Sequence, residues 1–223
     1  MRNFIVLTFL IFSLHAFSAP VKRQFRDMKL ATQQLMEKQT ITNPAAAAAD
    51  DVLSGDAGNA SAAAATQTTF DAQPDVTRTL TITPTGTTAD VAACTITVTG
   101  TDFHGQTITD TFAFLANAST VTAGTKAFKT VVSVAFPAAC EDSPFGATWN
   151  VGYGEGLGLK RCLDSAGHAV FSTVSGAYEA TRATVAVDAA NIEGNTADFN
   201  GTMDGAADFE IFFLQNFAKT CFP

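Results

Sequence analysis

The sequence has few basic residues and few of the aromatic residues that often line sugar-binding surfaces. Among its 223 residues, 13 are Lys or Arg and 21 are Asp or Glu, which gives a net charge of −8. Binding to nucleic acid needs clustered cations that displace counterions from the phosphates, and the sequence has no such cluster. The sequence contains one Trp and two Tyr, compared with 19 Phe. We therefore expect no nucleic acid partner, no membrane attachment of the mature protein, and little prospect of carbohydrate binding.

Residues that support catalysis or metal binding are also scarce. His15, His104 and His168 are scattered, and a Cys162–His168 pair is close only in sequence, which is weak evidence for catalytic geometry. No Gly-x-Ser-x-Gly motif marks a serine nucleophile. The carboxylates between residues 188 and 210 lack the EF-hand spacing, so a calcium ion in a loop there is a minor alternative. We predict a protein that is not an enzyme and holds no metal or cofactor.

Glycines occupy every second position from Gly152 to Gly158. A dinucleotide-binding loop needs a third glycine where Leu157 stands, and no helical pattern follows. The run therefore predicts a strand that passes close to another backbone and then turns.

Four cysteines are present: Cys94, Cys140, Cys162 and Cys221. An even number in an exported protein predicts two disulfides, with three possible connectivities. No pair has the CxxC spacing of a zinc site. We favour Cys140–Cys162, because this pair closes the shortest loop and flanks the predicted strand around Trp149. Four buried free thiols are the alternative, since the compartment decides between the two.

The first 19 residues have the features of an export signal. Arg2 precedes the apolar run Phe4 to Leu14, and small residues follow it, which predicts cleavage after Ser18. The run is short for a membrane span, which needs about 20 residues. An uncleaved anchor, or a true start at Met28, are the alternatives.

Residues 20–69 predict an Ala-rich arm that precedes the folded body. Arg26 to Lys38 has a weak helical pattern, and Asn43-Pro44 breaks it. The alanine runs Ala45 to Ala49 and Ala62 to Ala65 bracket a polar segment rich in Gly and Asp, so we expect an extended arm.

Residues 70–160 predict the core of a β-sandwich, because apolar residues alternate with threonines, as in half-buried strands. The clearest feature is a hairpin from Asp90 to Phe114 that turns at Asp102 to Gly105. The apolar positions that share a parity within each predicted strand are Val76, Leu80 and Ile82; Cys94, Ile96 and Val98; Ile108, Phe112 and Phe114; and Val132, Val134 and Phe136.

Residues 161–223 predict short strands that complete or extend this sandwich. Val170 to Val174 and Thr181 to Val187 have strand patterns, and Ile192 to Phe199 is expected to pair with Phe209 to Phe213 as a last hairpin. Many short strands without amphipathic helices between them predict an all-β, antiparallel sandwich, Ig-like or jelly-roll-like, with an extended N-terminal arm.

Several phrases of the chain, in order, resemble β-sandwich structural proteins of tailed bacteriophage virions, such as head decoration, head fibre and tail structural proteins. Together they cover Ile41 to Leu214. They are Ile41-Thr42-Asn43-Pro44 followed by alanines, Gln73-Pro74-Asp75-Val76 leading into Arg78-Thr79-Leu80, Ile96 to Asp102, Gly105 to Thr111, Gly124 to Val131, the glycine run ending in Leu157-Gly158-Leu159, and the tail from Glu193-Gly194-Asn195-Thr196 to Phe209.

This resemblance implies a non-enzymatic part of a virion, with the major capsid protein or other virion proteins as partners. It also implies a homo-oligomer, for which a trimer is our guess. It transfers no catalytic residues. The export-like start and the four cysteines depart from the family, so the alternative is an exported, Ig-like adhesin or binding module on a cell surface.

Overall fold

Strands dominate the computed structural model of the chain, which describes residues 36–56, 63–117, 119–138, 140 and 146–214. The chain divides into two compact units, Met1–Met36 and Glu37–Pro223, and the second is described below. The predicted export segment at residues 1–19, the alternative start at Met28, and Cys221 lie outside the described residues.

The described residues form 14 strands and three single-turn 3-10 helices, Thr88–Asp90, Ala166–His168 and Ile192–Gly194. The strands are β1 (Met36–Ile41), β2 (Leu53–Asp56), β3 (Ala65–Gln67), β4 (Arg78–Gly86), β5 (Cys94–Thr101), β6 (Thr107–Phe114), β7 (Thr122–Phe128), β8 (Thr130–Phe136), β9 (Ala147–Gly158), β10 (Ala169–Val174), β11 (Ala177–Tyr178), β12 (Thr184–Ala186), β13 (Thr196–Asp198) and β14 (Phe209–Leu214). The predicted all-β class is confirmed.

The strands assemble into three sheets. Sheet 1 has the order β3-β8-β5-β6, sheet 2 has the order β12-β13-β9-β4-β7 with β2 also paired to β9, and sheet 3 has the order β1-β14-β10-β11. Every pairing whose register is described is antiparallel. The antiparallel sandwich is therefore confirmed as the fold.

The alternation of apolar residues and threonines sets which side of each strand is buried. Along β6, exposed and buried residues alternate without a break from Thr107 to Phe114. β5 pairs with β6 in a continuous register from Cys94↔Phe114 to Thr101↔Thr107, so the predicted hairpin is confirmed. Period-two patterning predicts this arrangement because successive side chains of a strand point to opposite faces.

Two apolar clusters each include residues of β9. Trp149, Val151 and Tyr153 belong to the first cluster with the apolar residues of β4, β5, β6 and β8. Leu157 belongs to the second, with residues of β13 and β14 and the segments next to them. The Trp149 ring is fully buried and meets Phe114 edge-on at 5.0 Å between ring centroids. The 12-residue strand β9 thus links the two cores.

The glycine run lies within β9, as a strand approached by another backbone. A Cβ on Gly152 would lie 1.8 Å from the carbonyl oxygen of Ala48, and one on Gly154 would lie 2.4 Å from Thr79 Oγ1. The N–H of Tyr153 donates to that same Ala48 oxygen at 2.8 Å. The prediction of a close backbone approach is confirmed.

The described part of the predicted arm lies on the body of the same chain. β1 joins β14, β2 joins β9 and β3 joins β8. Val52 is fully buried in the first core, and Ile41 contributes to the second. Residues 36–38 are strand and not helix. This part of the arm is extended, as predicted, and its residues Ile41, Val52 and Leu53 are buried against the same chain, whereas Met36 is 50% exposed.

Two sequence-based pairings are wrong. Cys140 forms its disulfide with Cys94, with sulfurs 2.02 Å apart, and not with Cys162. Cys162 is itself disulfide-bonded. Cys140 is close to Cys94 because β8 returns beside β5 and brings Cys140 back to the start of that strand. The predicted last hairpin also fails, since β13 pairs with β12 and β9, whereas β14 pairs with β10.

Candidate assembly surface

The outer side of sheet 1 carries an array of threonines, which we call the threonine face. Its members are Thr95, Thr97, Thr99 and Thr101 on β5, Thr107, Thr109 and Thr111 on β6, and Thr130 on β8. All are exposed or half-buried. The inward residues of the same strands, among them Ile96, Val98 and Phe112, are fully buried and fix the sheet from below.

The threonines of β5 and β6 form cross-strand pairs, and we call each such row of threonines across the strands a rank. Thr97 lies opposite Thr111, Thr99 opposite Thr109, and Thr101 opposite Thr107. Directly opposite residues have Cα atoms about 4.5–5.5 Å apart, and successive ranks along a strand are about 6.6–6.8 Å apart. The Oγ1 atoms of Thr101 and Thr130 are 2.6 Å apart, which extends the last rank to β8. The face is therefore a regular grid of hydroxyl and methyl groups.

The threonine face carries no charged side chain. The strands β5, β6 and β8 contain one charged residue, Asp110. Its side chain points inward, and the residue is 8% exposed. Val132 on β8 was predicted to share the inward side with Val134 and Phe136, but a register shift against β5 places Val131 in the core instead, and Val132 is 55% exposed. An uncharged surface of this kind can be covered by a partner without the cost of desolvating an ion.

Asp110 ties sheet 1 to sheet 2. Its Oδ2 accepts from the N–H groups of Thr125 and Lys126 on β7, at 2.8 and 3.1 Å, and its Oδ1 accepts from the N–H of Thr111. A buried carboxylate is tolerated where several donors satisfy it. This residue therefore fixes the position of β6 over β7.

The turn that joins β5 to β6 is fixed by a second aspartate. Asp102 Oδ1 accepts from the N–H groups of His104 and Gln106, each at 2.8 Å. Gly105 has a φ of +84°, a conformation that glycine adopts without strain. His104 is exposed and packs edge-on against Phe103, with ring centroids 5.4 Å apart. The histidine thus belongs to a structural turn.

Arg78 links the N-terminal segment to β9. Its side chain is fully buried, and it donates to the carbonyl oxygen of Gly154 through Nη2 at 2.7 Å and Nε at 3.0 Å. Nη1 donates to the carbonyl of Ala45 at 3.0 Å and to Asp75 Oδ1 at 3.1 Å. The guanidinium carbon lies 4.8 Å from the centre of the Tyr153 ring.

The Tyr153 phenol completes this buried polar group. Its hydroxyl donates to the carbonyl of Gln73 at 2.8 Å. Burial, reinforced by the carboxylates of Asp75 and Asp51, raises the pKa of Tyr153 against the opposing effect of Arg78. The hydrogen bonds of Arg78 and Tyr153 join the segments around Ala45, Gln73 and Gly154, so this cluster supports the fold.

Sequence reasoning missed both Arg78 and Asp110, although a signal for each exists. Arg78 shares the apolar parity of Leu80 and Ile82, and Asp110 shares that of Ile108 and Phe112. A charged residue in register with core positions indicates a buried, hydrogen-bonded charge. Charged residues at core positions of an alternating pattern are therefore informative about buried hydrogen-bonded groups.

The remaining candidates are dispersed. His168 ends a 3-10 turn, and Asp188 accepts from the N–H groups of Ala190 and Asn191 in its own loop. Backbone and side-chain donors in this loop lower the pKa of Asp188, with the hydrogen bond from Asn191 the largest cause. In the described part of the chain, no three His, Cys, Asp or Glu side chains are placed to hold a metal ion.

Three of the open depressions among the described residues have volumes of about 420, 380 and 350 Å³. The largest is lined by the end of β1, by Phe103 and by Lys160, with Asp75 as its acidic residue. The depression of about 380 Å³ contains Glu155 as its ionisable side chain, and the one of about 350 Å³ contains no ionisable side chain. None of the three gathers the converging ionisable groups of a catalytic pocket.

Comparison with known proteins finds no matching family model, no matching curated protein and no matching solved structure. Among the described residues, no helix has the length and apolar character needed to cross a membrane.

Proposed function

We propose that this protein is a non-enzymatic structural component of a tailed phage virion, a capsid decoration or head fibre protein, that acts through assembly contacts. The observation that carries the proposal is the threonine face. It is a regular and uncharged surface on a chain whose net charge is −8. The resemblance over Ile41 to Leu214 supplies the biological setting.

The physical mechanism is adhesion between preformed surfaces. Buried apolar residues hold sheet 1 rigid, so its outer hydroxyl groups are positioned before a partner arrives, and little conformational entropy is lost on contact. Threonine offers both a methyl group and a hydroxyl that donates and accepts. The major capsid protein or another virion protein is the partner in this proposal, and specific docking needs about 1,000 Å² or more of buried surface.

The test is the composition of the particle. Virions of the phage that encodes this chain are purified by density gradient, and the proteins are quantified by mass spectrometry. The proposal expects peptides from residues 70–214 at a fixed ratio to the major capsid protein. Absence of these peptides from intact particles, with the chain found elsewhere in the lysate, would overturn the proposal.

A second candidate function is an exported binding module on a cell surface, and the disulfides favour it. Cys94 is bonded to Cys140, and Cys162 is also disulfide-bonded. Such bonds persist in oxidising compartments and are rare in the cytoplasm. In a virion they would form after lysis of the host.

The mature amino terminus discriminates between the two candidates. Cleavage near Ala19, found by mass spectrometry of the protein from its natural source, supports export. A start at Met28 supports assembly in the cytoplasm and argues against the exported module.

A further inference from the structure

We infer that β6 is the edge through which two copies of this chain pair, strand against strand, in an antiparallel dimer with two-fold symmetry; this inference rests on the proposed assembly role. Sheet 1 of one copy would continue into sheet 1 of the other, and the two threonine faces would join into one surface.

β6 differs from the other sheet edges of the described residues. β3, β11 and β12 have two or three residues each. β1 carries Glu37 and Lys38, and β7 carries Lys126 and a register shift against β4. β6 has eight residues and pairs with β5 without a shift. Short length, charges and bulges are the usual devices that prevent an edge from pairing, and β6 has no proline, no bulge and no outward charge.

Asp110 is the one device on β6 that normally blocks an edge, because a further strand would bury an inward-pointing charge. Here that burial has already taken place. The residue is 8% exposed, and its two oxygens accept three N–H groups of the same chain. The N–H of Thr111 points away from β5, so a partner strand would take this donor from Asp110 Oδ1, while Oδ2 keeps both of its hydrogen bonds from β7.

Charge favours this edge over other surfaces for contact between copies. With a net charge of −8, two copies repel each other except where they meet through uncharged surfaces. The outward residues Thr107, Thr109, Thr111 and Ala113 are all exposed and neutral. Identical strands that pair in opposite directions form a self-complementary interface that closes at two copies. Main-chain hydrogen bonds supply the affinity in strand addition of this kind.

The experiment measures self-association of the full chain by sedimentation velocity. Because a single edge buries less surface than a stable interface, we expect a dimer that forms at micromolar concentration. The double variant Thr109→Glu/Thr111→Glu places four new carboxylates in the paired edge, and should raise the dimer Kd at least about tenfold.

The matched control is Thr97→Glu/Thr99→Glu. These residues lie directly opposite Thr111 and Thr109 on β5, so the same charges enter the same ranks one strand away from the edge. This variant should keep the dimer. Equal circular dichroism spectra and unfolding midpoints establish that both variants fold.

Hydrogen–deuterium exchange of the unmodified chain gives a readout without substitutions. Amides of β6 should become protected as the concentration rises through the Kd, while those of β12, another edge, should not change. A chain that stays monomeric at all concentrations, a trimer, or a dimer lost equally in both variants would overturn the inference. A dimer that is absent from virions would leave the inference standing and reject the virion role.

Discussion

Single buried charges hold together parts of this chain that are distant in sequence. Arg78 joins the segment around Ala45 to Gly154 on β9, and Asp110 joins β6 to β7. Both are served by several hydrogen bonds, which is what makes a buried charge tolerable. Their removal leaves buried partners unsatisfied, so each is expected to matter more than any surface ion pair.

We predict that Arg78→Ala lowers the free energy of unfolding by about 4 kcal/mol, because it empties a buried site and leaves two carbonyl oxygens without donors. Arg78→Lys should lose about 2 kcal/mol, since an ammonium cannot reproduce the planar fork or its stacking on Tyr153. Urea unfolding measures both. Arg161→Ala is the control, because that side chain is 43% exposed in its ion pair with Glu37, and it should lose less than about 1 kcal/mol. Equal losses at both arginines would contradict the buried role of Arg78.

The N-terminal strand is attached by residues that respond to acid. Burial raises the pKa of Glu37, but hydrogen bonds and charge from Lys160 and Arg161 outweigh it, so the pKa is lowered. The hydrogen bond from Lys38 Nζ, at 2.6 Å, is the largest cause of the lowered pKa of Glu210, and Thr173 adds to it. A lowered folded-state pKa contributes stability that is present at neutral pH and lost as the pH falls through that pKa.

We therefore predict that Glu37→Gln/Glu210→Gln is less stable than the unmodified chain at neutral pH, by about 1 kcal/mol. The difference should shrink as the pH falls below about 4, where the carboxyl groups of the unmodified chain become protonated. Thermal unfolding across this pH range measures it. A difference that stays constant with pH would show that the two carboxylates do not stabilise the strand through their charge.

At the scale of elements, another segment of the backbone packs directly against β9. Gly152 leaves room for the backbone of Ala48 and Ala49, whereas Gly154 and Gly156 lie against Thr79 of the neighbouring strand β4. The N–H of Tyr153 bonds to Ala48 in the same place. Gly152 is therefore the glycine of this run that lets the N-terminal segment pack on β9.

Gly152→Ala is predicted to lower the free energy of unfolding by at least about 3 kcal/mol. The new Cβ would meet the main-chain oxygen of Ala48 at 1.8 Å, and a backbone atom cannot rotate away. Gly167→Ala is the matched control, because its Cβ would meet its nearest neighbour at 3.4 Å, and its effect should stay within about 0.5 kcal/mol. Similar midpoints for the two variants in urea would contradict the close approach.

The strands that sequence predicted best are those with strict alternation and a short turn. The β5–β6 hairpin follows from the threonine pattern and from Asp102-Phe103-His104-Gly105, because both signals are local. Pairings between distant strands were not predictable in this way. The predicted last hairpin was wrong because β14 pairs with β10 and not with β13. The predicted Cys140–Cys162 disulfide was wrong because β8 pairs with β5, which places Cys140 beside Cys94.

The sequence predicted the exposed threonines of the candidate surface but not their alignment across the strands. The alternating threonines of β5 and β6 predict a wet face, but their alignment into ranks depends on register, which the sequence fixes only through the turn. The contribution of Thr130 depends on a long-range pairing between β5 and β8. The parity of Asp110 with Ile108 and Phe112 indicates its inward orientation, but its hydrogen-bond donors on β7 became clear only from the structure.

At the scale of the whole molecule, each of the three sheets has a different structural role. Sheet 2 and its long strand β9 connect two apolar cores, and sheet 3 receives the N-terminal strand. Sheet 1 is left with one side in the first core and an uncharged outer side. The proposed virion role therefore depends on one surface, and charge introduced there should act on assembly without unfolding the body.

The most direct measurement is incorporation of variants into particles. Virions are produced in a host that supplies either the unmodified chain, Thr97→Glu/Thr99→Glu, or the control Thr42→Glu/Thr202→Glu, whose two threonines are exposed and lie outside sheet 1. The amount of chain per purified particle is then quantified. We predict that the charged threonine face reduces incorporation at least about tenfold while the control is incorporated normally. Normal incorporation of both variants would contradict the role of the threonine face in assembly.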